Sequence, residues 1–119
     1  MSDEFIEIAT KEINEEISGM EKLLSACQND ADVFSSADKF QKHTHKIKGL
    51  APMMGKEELG SFSAILDSIL KKMIDGNSID DIFNDMTDSI SLMKKSMSKP
   101  DCDLTEIKNR ISQILNNLK

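Results

Sequence analysis

Few residues of this 119-residue chain could do chemistry, and its only two histidines, His43 and His45, sit two positions apart. Metal binding is the first chemistry to test. At about 100° per residue, positions two apart lie roughly 160° around a helix from each other, so the pair cannot grip one ion while a helix stays intact. The only cysteines, Cys27 and Cys102, have no metal-ligand spacing and read as reduced thiols. His43 lies near the apolar positions Phe40 and Ile47 and reads as a core-edge histidine. His45 points nearly opposite the centre of that stripe. Its i+3 and i+4 neighbours are Lys48 and Gly49, the positions that meet on a helix surface. An ammonium beside an imidazole makes sense if the imidazole will carry an anion. A glycine inside a helix costs roughly 1 kcal/mol relative to alanine, and clearing space beside the ring is one reason to accept it. Lys39, Lys42, Lys46, Lys48 and Lys56 cluster around His45 in an otherwise acidic chain. Such a basic patch suits phosphate and an acidic partner pocket, although a solvated helix face would look the same.

The elements that would position these groups are all helical. Ile6, Ala9, Ile13, Ile17, Met20, Leu24 and Cys27 form one apolar stripe, with Ser2 as its N-cap. A second stripe runs through Val33, Ala37, Phe40, Thr44, Ile47, Ala51 and Met54 to a stop at Gly55, with Pro52 inside it. An interior proline removes one backbone hydrogen bond and clashes with the carbonyl four residues back, so a kink or early loosening is expected after His45. A third stripe, Leu59, Phe62, Leu66, Ile69 and Met73, closes at Gly76. Ser78 with Asp81 is a weak capping box before Ile79, Phe83, Met86, Ile90, Met93 and Met97. Asp103 with Glu106 repeats that spacing before Leu104, Ile107, Ile111, Ile114 and Leu118. The expected fold is all-α: helices over 2–27, 32–54, 57–75, 78–98 and 103–118, arranged as an antiparallel up-and-down four-helix bundle with a fifth C-terminal helix, in one domain over 1–119.

Composition bounds the partners. Fifteen basic against twenty-one acidic side chains give a net charge of −6, the wrong sign for a general nucleic-acid binder. No apolar stretch approaches a membrane span, and the acidic start does not read as a secretory signal, so a cytoplasmic chain without membrane attachment is expected. There is no Gly-rich phosphate loop, no Walker sequence and no obvious acidic cluster for magnesium. Any ATP chemistry would have to come from elsewhere.

The run His45-Lys46-Ile47-Lys48-Gly49, with Gly55 ten residues after the histidine, resembles the His-x-x-Lys-Gly signature of histidine-phosphotransfer (HPt) domains. The stretch from His45 to Gly76 looks most like the branch found at the N-terminus of the chemotaxis histidine kinase CheA. The resemblance implies a phosphocarrier of two-component signalling. His45 would accept phosphate from a separate kinase catalytic domain, which binds the ATP and magnesium, and pass it to an aspartate of a response-regulator receiver domain. Lys48 would stabilise the phosphoryl oxygens, Gly49 would leave access, and Asp67 matches the glutamate that orients the histidine. The branch often has a second histidine one turn before that carboxylate; Ala64 stands there instead. The chain would be either a complete small phosphocarrier or, as the fifth helix and the likeness to CheA favour, the excised first domain of a larger kinase, monomeric when isolated. Geometry reaches Asp67 independently: if two helices fold back around a turn near 55–57, positions whose numbers sum to about 112 face each other, and 45 faces 67. The competing reading is a helical interaction module that carries no phosphate.

Overall fold

The Ser2 hydroxyl accepts a hydrogen bond from the backbone of Phe5 at 3.1 Å, and Asp3 and Glu4 sit at the positive end of the dipole of the helix that follows. The computed structural model describes residues 2–118, one short at each end of the expected 1–119 domain. Among these residues there are six helices and no strand: α1 (Asp3–Ser25), α2 (Asp30–Ser35), α3 (Ala37–Met53), α4 (Glu57–Ile74), α5 (Ile82–Ser98) and α6 (Thr105–Asn117). The apolar stripes face inward as their spacing requires. Phe40, Ile47, Phe62, Leu66, Ile69, Met86 and Ile111 are wholly buried in one core.

Three boundaries differ from expectation. The helix expected over 32–54 is two helices, broken at Ser36, whose backbone N–H is shared by the carbonyls of Asp32 and Val33. The short α2 has its own start signal: Asn29 accepts from the backbone of Asp32, while Asp32 accepts from that of Gln28. The helix expected from 78 starts at Ile82, and Ser78 does not cap it. The cap comes from another helix. The Asp30 carboxylate of α2 accepts from the backbone N–H groups of Asp81 and Phe83 at 2.9 and 2.8 Å, and Asp81 takes a left-handed conformation at φ 65°. A cap supplied by tertiary contact leaves no trace in the local sequence. At α6, Asp103 accepts from Thr105 rather than Glu106, so that helix begins two residues late.

Gly55 and Gly76 end α3 and α4 in the same way. Each has positive φ, at 85° and 110°, and each is followed by a residue whose N–H reaches back five positions, Lys56 to Ala51 and Asn77 to Lys72. The expected loosening at Pro52 does not follow directly after His45: α3 continues to Met53. The proline ring lies against Gly60 of α4, where an added Cβ would stand 2.5 Å from Pro52 Cγ. Gly60 is thus a seat for the ring.

The α3–α4 hairpin is the most extensive helix pair. α1 packs on α3 and α5, α6 packs on α4 and more lightly on α5, and α2 bridges α3 and α5. The molecule measures 41 × 26 × 22 Å, its long axis set by the 23 residues of α1, about 35 Å of helix. No helix among the described residues is long and apolar enough to cross a membrane. Both cysteines are free. Burial, and secondarily the carboxylate of Asp32, push the Cys27 thiol above its ordinary pKa, which suits an inert side chain.

Candidate functional site

The antiparallel hairpin brings residues 45 and 67 together. Thr44 and Ile47 turn inward and lock the α3 face, which leaves His45 with 61% of its side chain exposed. Opposite it on α4, Leu66 and Leu70 are fully buried, and the neighbouring Asp67 is only 1% exposed. His45 Nδ1 stands 3.7 Å from Asp67 Oδ1. That is an ion-pair distance, longer than a hydrogen bond, as a carboxylate one methylene shorter than glutamate would leave it.

A buried carboxylate needs partners, and Asp67 has three more. Gln41 donates from Nε2 to Oδ1 at 2.7 Å. Lys71, one turn further along α4, places its ammonium 3.3 Å from Oδ2, and Lys48 places its own 3.7 Å from the same oxygen. Burial alone would push the Asp67 carboxyl up. The amide of Gln41 and the ammoniums of Lys71 and Lys48 outweigh it and hold the carboxyl below its ordinary value. The result is an ionised buried acid with an exposed imidazole on one side and two cations on the other. Gly49 lies on the exposed side of α3, and a Cβ built there would meet nothing within 4 Å.

The structure therefore brings His45, Lys48 and Asp67 together and leaves open space at Gly49. Gln41 and Lys71 are additions that the sequence reading missed. Both carry a signal in hindsight: Gln41 is one turn before His45, and Lys71 one turn after Asp67, so each follows once 45 is set against 67. The expected lysine cluster is thinner. Lys56 donates to the backbone carbonyl of Ser96 in α5 at 3.0 Å, and Lys46 turns to Glu16 at 3.6 Å.

His43 faces a different helix. Its Nδ1 lies 2.8 Å from Glu16 Oε1 of α1, and its ring fills the space over Gly19, where a Cβ would stand 2.5 Å from Cε1. The two histidines are thus turned to different neighbours, His43 to α1 and His45 to α4. Among the described residues, no group of three or more His, Cys, Asp or Glu side chains is placed to hold a metal ion.

Comparison of the chain with protein-family models, with curated proteins and with solved structures found no match.

Proposed function

We propose that this chain is a histidine-phosphotransfer domain in which His45 takes up a phosphoryl group from a kinase catalytic domain and gives it to an aspartate of a receiver domain. The observation that carries the reading is the exposed imidazole of His45 with Nδ1 turned to the buried Asp67 carboxylate and a lysine at i+3. A carboxylate at Nδ1 favours the tautomer with its proton there, which leaves the Nε2 lone pair as nucleophile. Nε2 attacks the γ-phosphorus of ATP held by the kinase; the Nε2–P bond forms as the P–O bond to the leaving ADP breaks. The Nδ1 proton stays in place, and Asp67 balances the positive charge of the N-phosphorylated ring. Lys48 answers the charge on the phosphoryl oxygens. In the second half, an aspartate oxygen of the receiver attacks phosphorus, the N–P bond breaks and the imidazole is recovered.

The same reading takes α1, α3, α4 and α5 as an up-and-down four-helix bundle, with α2 a lead-in and α6 the added helix. It places the chain in the cytoplasm, as a monomeric first domain of a larger kinase of the CheA type, with ATP and magnesium bound by that kinase's catalytic domain.

The test needs no cognate kinase. Phosphoramidate, a small phosphoryl donor, is incubated with the full chain, and the product is mapped by mass spectrometry after acid and base treatment. The expected product is an acid-labile, base-stable phosphate on His45 that is absent from the His45→Gln variant and is handed on to receiver domains. Label that persists on the variant, or that maps to His43, refutes the assignment; a folded chain that takes no label is instead the interaction module.

A further inference from the structure

We propose that Gln41 and Lys71 are positioning residues of this site: together they fix the Asp67 carboxylate with Oδ1 toward His45, so that Lys48 is free to leave the carboxylate for an arriving phosphoryl group. This rests on the phosphotransfer reading and deepens it.

The partners of Asp67 divide by oxygen. Oδ1 takes the amide of Gln41 at 2.7 Å and faces His45 Nδ1 at 3.7 Å; Oδ2 takes Lys71 at 3.3 Å and Lys48 at 3.7 Å. A carboxylate with a strong donor on one oxygen and a cation on the other cannot rotate without breaking both contacts. The orientation that aims Oδ1 at the ring is therefore held by residues other than the histidine itself. A carboxylate only accepts, so it is the nitrogen of the Gln41 amide that must point inward, and this polarity is set by chemistry.

The cation count points the same way. Two ammoniums share one oxygen of one carboxylate, one more than neutrality at rest requires. Lys71 is the closer and lies on the helix of Asp67 itself, at i+4, with acid before base, the favourable order. Lys48 is the farther and lies on the helix of His45, at i+3 from the ring that would carry the phosphate. When an anion arrives on His45, Lys48 can swing to it while Lys71 keeps the buried Asp67 paired. Without Lys71, moving Lys48 would leave a carboxylate that is 1% exposed with the phosphorylated ring, 3.7 Å from Oδ1, as its one remaining cation and nothing charged on Oδ2, which is costly for a buried acid. Lys71 thus makes the motion of Lys48 affordable, though it need not touch the phosphoryl group.

The experiment compares Lys71→Met, Gln41→Met and Lys71→Arg with the wild-type chain. The first readout is the tautomer of neutral His45, from long-range proton–nitrogen correlation spectra. The second is the initial rate of phosphorylation by phosphoramidate. The Nδ1–H tautomer is expected in the wild type. Lys71→Met and Gln41→Met should each shift the ring toward Nε2–H and slow phosphorylation by about tenfold, the scale of lost outer partners at ligand sites. Lys71→Arg should restore both. A role confined to stability would lower the denaturation midpoint and leave tautomer and rate unchanged in the folded fraction; that result, or an Nε2–H ring in the wild type, overturns the proposal. Should Gln41→Met fail to fold, Lys71→Met decides alone, because that side chain is 54% exposed. The tautomer is read without any phosphoryl transfer. A wild type that phosphoramidate does not label therefore sinks the phosphotransfer reading, while the tautomer shift still judges the positioning.

Discussion

At the scale of single residues, Gly49 separates what the fold needs from what a partner would need. A Cβ there would meet nothing within 4 Å, so the fold has no use for the glycine. Gly49→Ala should raise stability by about 0.5–1 kcal/mol in urea denaturation, the ordinary gain of alanine over glycine inside a helix. It should also slow handover of phosphate to receiver domains, because the methyl group narrows the approach to His45. Higher stability with undiminished handover would remove Gly49 from the site. The placement of 45 against 67 was legible in the sequence because it needs only helical periodicity and a turn at Gly55. The donor on Asp67 was legible only in part: position 41, one turn before His45, follows once 45 is set against 67, but nothing local marks it as a partner. Gln41 matters only because Asp67 is buried, and residue 67 lies outside the apolar stripe of Leu59, Phe62, Leu66, Ile69 and Met73, so helical spacing does not announce that burial.

At the scale of elements, the α3–α4 hairpin sets the spacing of the site, and Pro52 on Gly60 sets how closely the two helices approach at its closed end. A Cβ at residue 60 would stand 2.5 Å from Cγ and 2.7 Å from Cδ of a stiff ring, so the helices must shift apart. Gly60→Ala should cost about 1–3 kcal/mol, the range for overpacking. Pro52→Ala removes the ring, and in that background Gly60→Ala should be nearly harmless. A double-mutant cycle in urea should thus be strongly non-additive, and additive costs would show that the contact does not govern the approach. The helical stretches were readable from the apolar stripes, but α2 and α3 read as one helix because a single stripe runs from Val33 to Met54 across the break at Ser36. What escaped was every boundary set by another element: α5 starts where Asp30 of α2 caps it, and the proline is accommodated by a glycine eight residues away on the next helix. Such partners are distant in sequence and carry no local signal.

At the scale of the whole molecule, two carboxylates give the acid limb of stability opposite signs. Burial pushes the Asp85 carboxyl up; Arg110, at 3.4 Å, opposes this, and Asp81, Asp88 and Asp30 add to it. Its folded value therefore lies above the unfolded one, so its charge costs stability at neutral pH, and the cost is relieved as pH falls through the folded value. Asp67 runs the other way, its folded value lying below the unfolded one of about 3.9. Its stabilising contribution is whole above the unfolded value and disappears as pH drops through the folded value, that is, in the region below about pH 4. Urea denaturation across pH 7 to 3 should show Asp67→Asn less stable than wild type at pH 7, with the gap narrowing below about pH 4 as the native carboxylate is protonated. Asp85→Asn should gain stability at pH 7 and lose that advantage on acidification. A gap between wild type and Asp67→Asn that stays constant through the acid range would mean that the buried carboxylate is not held ionised by Gln41, Lys71 and Lys48, and the electrostatic account of the site would fail with it.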